Sequence, residues 1–117
     1  MNWVMEETDE YETFWHVTSK VNTKSILENG LYQSILGIYD DGVYCIKKNE
    51  SDRTELDNVK IFMERNGLPT EDQVAIEFEH LGNYYINNIR KMFEESGWVV
   101  IKQNIAANLI DKYFDLK

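Results

Sequence analysis

Residues 73–79 read Gln73-Val74-Ala75-Ile76-Glu77-Phe78-Glu79. Val74, Ile76 and Phe78 take every second position, with Glu77 and Glu79 between and after them. Successive side chains of a β-strand point to opposite faces, so this run fits a half-buried strand, apolar on one face and polar on the other. Such a strand needs partners to pair with and apolar cover for its inner face.

Other segments supply both. Thr13-Phe14-Trp15-His16-Val17-Thr18 is rich in aromatic and β-branched residues and reads as a strand, as do 42–47 and 98–102. Tyr113-Phe114 reads as a closing strand. Between the first two strands, Asn22 is placed to cap a helix, Val21 to staple onto Ile26, and Gly30 to end it. Ser51 or Asp52 caps a second helix, with Glu55 at capping-box spacing from Asp52. Leu56, Val59, Phe62 and Met63 form its stripe, and Gly67-Leu68-Pro69 stops it. Residues 83–96 predict a third helix with Tyr85, Ile86, Ile89 and Phe93 inward. Residues 31–42 read as a loop, 105–110 as a short helical turn, and 1–12 as an acidic lead-in with Trp3, Val4 and Met5 tacked onto the core. One Pro and six Gly leave little room for a linker, so 1–117 reads as a single domain. The strands lack the fully apolar runs of buried parallel strands, and no glycine-rich phosphate loop follows the first. The expected class is α+β, with mixed, mostly antiparallel sheets and two or three packed helices.

Composition narrows the function. Twelve Lys+Arg stand against 21 Asp+Glu, a net charge of −9. Nucleic-acid binding draws its affinity from cations neutralising phosphates, and the cations here do not cluster. Glu6, Glu7, Asp9, Glu10 and Glu12 crowd the first twelve residues with no base among them. They form either a solvated arm or a surface that engages a basic partner by imitating nucleic acid. Cys45 is the single cysteine, expected to be a buried inert thiol, so no internal disulfide forms. One Cys and two His do not suit a structural zinc site. No apolar run reaches membrane-helix length, and the first residues lack a basic region. The sequence reads as a soluble, cytoplasmic domain.

Three segments carry a resemblance. Phe14-Trp15-His16-Val17-Thr18-Ser19, followed by Ser25-Ile26-Leu27-Glu28-Asn29-Gly30-Leu31, resembles the opening of the ADP-ribosyltransferase fold: His-x-Thr at a strand end, then a helix ending Ile-Leu-x-x-Gly-Leu. Asp41-Gly42-Val43-Tyr44-Cys45 is similar to that fold's second motif. The tail from Trp98 to Ile110 is similar to its closing pattern. Order and spacing match over about three-quarters of the chain. The resemblance implies a split cleft between two small sheets holding nicotinamide adenine dinucleotide (NAD). It implies that His16 hydrogen-bonds a ribose, that the Val17 backbone holds the carboxamide beside Thr18, and that Tyr44 stacks on the nicotinamide. A third-motif residue, usually Glu, stabilises the ribosyl cation as nicotinamide leaves. The candidates for that catalytic position are Glu77, Glu79 and Gln103.

Each candidate also has a plain structural reading. His16 serves as a hydrogen-bonded strand-end histidine, Tyr44 as a half-buried strand tyrosine, and Thr18 as a turn or cap residue. Glu77 and Glu79 read first as the wet face of an alternating strand, although their spacing puts both on one side, as a carboxylate pair requires. Gln103 can hydrogen-bond ribose hydroxyls but supplies no negative charge. Two functions stay open. One is NAD binding with mono-ADP-ribosyl transfer to an acceptor recognised by loops 32–42 and 49–54, a toxin-like effector where that acceptor is a macromolecule such as a protein. The other is a non-catalytic acidic binder or inhibitor on the same fold, such as a phage-type or bacterial anti-defence factor acting on a basic protein.

Overall fold

The computed structural model describes residues 3–33, 42–48, 53–87 and 98–117. Seven strands form one sheet: β1 (Trp3–Glu6), β2 (Glu12–Ser19), β3 (Val43–Lys47), β4 (Gln73–His80), β5 (Tyr84–Asn87), β6 (Trp98–Ile101) and β7 (Ile110–Asp115). Their order across the sheet is β1-β5-β6-β3-β2-β4-β7. Every pairing is antiparallel, where the sequence admitted a mixed sheet. Two helices are described, α1 (Thr23–Asn29) and α2 (Arg53–Arg65). The α+β class stands.

Both faces of the sheet are covered, and each carries its own core. On one face Phe14, Val43, Cys45, Val74, Ile76, Phe78, Val99 and Ile101 pack with Leu31, Ile105 and the inner side of Ile26 from α1. On the other, Trp15, Val17, Ile46 and Ala75 pack under Leu56, Val59 and Met63 of α2, with Phe114 and Leu116 at the edge. The α2 stripe follows helical spacing except at Phe62, which stays exposed. The second core explains one departure from expectation. β4 alternates like a half-buried strand, yet α2 packs over Ala75 on its polar-looking face, and Trp15 and Lys48 meet Glu77 there. Glu77 is buried rather than wet.

Gly30 ends α1 with φ +87°, and its N–H donates to the Ile26 carbonyl at 2.8 Å. A Cβ there would sit 2.1 Å from the Ile105 carbonyl oxygen. That close approach lets Leu31 and Ile105 exchange backbone hydrogen bonds at 2.9 and 2.7 Å. The helix end is thereby tied to the turn after β6.

Three local expectations change. The lead-in is structural, because Trp3–Glu6 form an edge strand paired with β5. Tyr84–Asn87 are a strand and not the start of a helix; the remainder of that expected helix, 88–96, lies outside the described residues. Tyr84 points into the first core and Tyr85 to the opposite face, the alternation of a strand. Val21 is 85% exposed and staples nothing, while Asn22 donates its side-chain amide to Thr18 Oγ1 at 3.1 Å instead of capping α1. The loop 34–41 and the proposed cap residues Ser51 and Asp52 lie outside the described residues. No described helix is long and apolar enough to cross a membrane.

Candidate functional site

β2 is paired with β4 along its whole length, from Glu12↔His80 to Ser19↔Gln73. Its other edge is different. Pairing with β3 comprises Phe14↔Lys47 and Trp15↔Ile46, with the Lys48 N–H donating to the Thr13 carbonyl at 2.9 Å, and then stops. Continuing that register would set Val17 opposite Tyr44. At that point the His16 ring meets the Tyr44 carbonyl oxygen, with Nδ1 at 2.7 Å.

A carbonyl oxygen only accepts, so Nδ1 carries the proton and donates. In the neutral ring Nε2 then presents a lone pair. Burial lowers the His16 pKa and favours that neutral form, with the bond to Tyr44 pulling the other way. Backbone groups along a strand alternate between its two neighbours. Thr13 and Trp15 turn theirs to β3, and so does Val17, where the paired register has ended. The Val17 side chain is buried in the second core. Thr18 is tied to Asn22 one step further on.

Register also fixes which faces the two motif side chains use. His16 stands opposite Ile76, a residue of the first core. Tyr44 is half-buried, stands opposite Val100, and lies two residues from Ile46 of the second core. The two side chains therefore leave adjacent strands toward opposite faces. A ligand touching both would pass through the gap between β2 and β3.

The three catalytic candidates separate. Glu77 pairs with Trp15, one step from His16 in the register, and Glu79 with Thr13, so what separates both from the His16 ring is the face of the sheet they use. Glu77 is committed locally. Trp15 Nε1–H donates to its Oε1 at 2.9 Å, and Lys48 Nζ lies 3.0 Å from the same oxygen. Burial alone would raise its pKa; the hydrogen bonds from Trp15 and Lys48 and the charges of Lys48 and Lys112 outweigh it and hold the carboxyl below its ordinary value. Gln103 is exposed in the turn after β6. Since Val43 pairs with Ile101, that turn lies beyond the end of β3 at which Tyr44 sits. Its neighbour Asn104 accepts the Gln33 N–H at 2.8 Å, pinning the turn to the chain leaving α1.

The residues that build this region include some with no sequence signal for the part they play. Nothing in the local pattern marks Trp15 and Lys48 as partners of Glu77, because they meet only across strands. Cys45 is buried, and burial pushes its thiol well above its ordinary value, as an inert thiol should be. Among the described residues no group of three His, Cys, Asp or Glu could hold a metal ion. Comparison with protein-family models, with curated proteins and with solved structures returned no match.

Proposed function

We infer that this chain is an ADP-ribosyltransferase-like domain that binds NAD at the gap between β2 and β3. The observation that carries the reading is the end of the β2–β3 ladder at Trp15↔Ile46, with the His16 ring on the Tyr44 carbonyl just beyond it. The gap falls at the His-x-Thr and Gly-Val-Tyr segments that carry the resemblance. The third segment is drawn to the same end of the sheet through the Leu31↔Ile105 bridge.

The chemistry of these groups suits the ligand. His16 Nε2 accepts from a ribose hydroxyl. The Val17 N–H and C=O match the carboxamide, which needs one donor and one acceptor. The Tyr44 ring offers an aromatic face to the nicotinamide, and Thr18 lines the strand beyond. Gln103 sits at this end of the sheet, while Glu77 and Glu79 leave it on the opposite face from His16. Gln103 orients ribose hydroxyls without supplying negative charge to a developing cation, so transfer to a protein acceptor is slow. NAD here is a substrate.

A second reading is favoured by the commitment of Glu77 to Trp15 and Lys48: a non-catalytic binder for a basic protein, using the same fold and the net charge of −9. Calorimetric titration with NAD, with release of free nicotinamide followed in parallel, separates the two. Saturable binding lost in Tyr44→Ala supports the first reading. No heat at millimolar NAD removes it and leaves the binder, whose capture of a basic polypeptide would weaken with salt.

A further inference from the structure

The gap between β2 and β3 has an unusual cause. Nothing in the backbone prevents the ladder from continuing: β2 stays extended through Ser19 and pairs with β4 to its last residue. β3 likewise stays extended and pairs with β6 through Tyr44↔Val100 and Val43↔Ile101. Two extended strands already in register at Trp15↔Ile46 would ordinarily close the next hydrogen-bonded pair, Val17 with Tyr44. What stands at that carbonyl is a side chain, His16 Nδ1, at 2.7 Å.

We propose that the His16 imidazole is a wedge: by donating Nδ1–H to the Tyr44 carbonyl it takes the place of the next ladder bond and holds β2 and β3 apart. The exchange is uneven, because the ring supplies one N–H···O bond where a hydrogen-bonded antiparallel pair makes two. It differs in reach. A ring on Cβ holds the Tyr44 carbonyl farther from β2 than a backbone N–H would. His16 is then a positioning residue, keeping the Val17 backbone turned toward an open gap. Burial supports the role, since a neutral ring with a fixed Nδ1–H is the form that donates on one side only. The use of the gap for NAD rests on the reading above; the wedge does not.

The full chain, isotope-labelled, tests it without ligand. Through-hydrogen-bond couplings should connect the His16 ring N–H to the Tyr44 carbonyl in the wild type. In His16→Ala and His16→Thr, neither of which reaches that carbonyl, the Val17 N–H should take it over and exchange roughly tenfold more slowly. His16→Asn carries a side-chain N–H donor at the place of Nδ1 and should restore wild-type exchange at Val17. Having two short variants guards against one failing to fold, and the wild-type coupling needs no variant at all. A wild-type coupling from the Val17 N–H to the Tyr44 carbonyl would overturn the wedge. So would Val17 exchange unchanged in His16→Ala or His16→Thr. NAD titration of the wild type keeps the two ideas apart. Closure in the variants without NAD binding leaves the wedge and removes the function, and binding without closure does the reverse.

Discussion

The two edges of β2 are built from the same eight residues and behave differently. Toward β4, backbone meets backbone from Glu12 to Ser19, and Phe14 stacks on Phe78 across the seam at 5.7 Å. Toward β3, the backbone ladder ends at Trp15 and a side chain takes over. One strand thus serves as both anchor and rim. The sealed edge supplies the stability that permits an unsealed one.

The sealed edge should break most expensively. Phe78 is fully buried in the first core. Phe78→Ala should cost about 3–5 kcal/mol, a large part of the ~5–15 kcal/mol that holds a domain together. Urea denaturation measures it, and a loss below ~1 kcal/mol would show that the β2–β4 seam is not the anchor. A smaller loss is expected at the clamp holding α1 to the turn after β6. Gly30→Ala meets both a positive φ and the Ile105 carbonyl oxygen, so at least ~2 kcal/mol is expected. Gly67 also has positive φ, +97°, but no atom lies within 4 Å of its would-be Cβ. Gly67→Ala should therefore cost only ~1 kcal/mol. Equal costs at the two glycines would show that the clamp adds nothing.

Glu77 sharpens the comparison, because it lies on the anchor side while the resemblance admits it to the chemistry. Glu77→Gln keeps an acceptor for Trp15 and loses the charge facing Lys48. It should cost ~1–2 kcal/mol, and Glu79→Gln under ~0.5 kcal/mol. If Glu77→Gln left stability intact and abolished nicotinamide release, Glu77 would belong with His16 despite the register.

What the sequence revealed was what local pattern carries. The alternation at 73–79, the aromatic run at 13–18, the stripe of α2 and the cap at Gly30 each have a period or a residue preference that acts within a few positions. With the runs at 42–47, 98–102 and 113–114 they gave five of the strands, both described helices and the α+β class. The misses are long-range. Tyr85 and Ile86 fit an inner helical stripe as well as a strand, and only pairing with β1 and β6 decides between them. Trp3–Glu6 has too little pattern of its own and becomes a strand because β5 offers an edge. Glu77 reads as wet because the pattern cannot show that Trp15 and Lys48 reach it from elsewhere in the chain. At the candidate site, His16 and Tyr44 stand out in the sequence only through the resemblance. Their contact is not legible there, since it depends on where a ladder stops.

The smallest expected effect is a slope with pH, and it tests both edges together. His16 lies at the open edge. His80 lies at the end of the sealed one, buried against Phe14, with Nε2 3.2 Å from the Asn83 carbonyl and with Glu12 opposite it in the register. Burial lowers the pKa of both rings from the ordinary 6.5; at His80 the Asn83 carbonyl and the Glu12 charge oppose it without cancelling it. The unfolded chain therefore binds protons first as pH falls through 6.5, and stability is full above that value and declines below it. Glu77, held below its ordinary 4.5, adds a second loss only as pH falls past 4.5 toward its folded value. Urea midpoints should accordingly drop between pH ~7.5 and ~5.5, and His16→Asn combined with His80→Gln should flatten that drop. His80→Gln alone should remove only the part belonging to the sealed edge. If it removed the whole slope, the His16 ring would titrate alike in the folded and unfolded chains. The open edge would then be wet enough to leave its imidazole unperturbed.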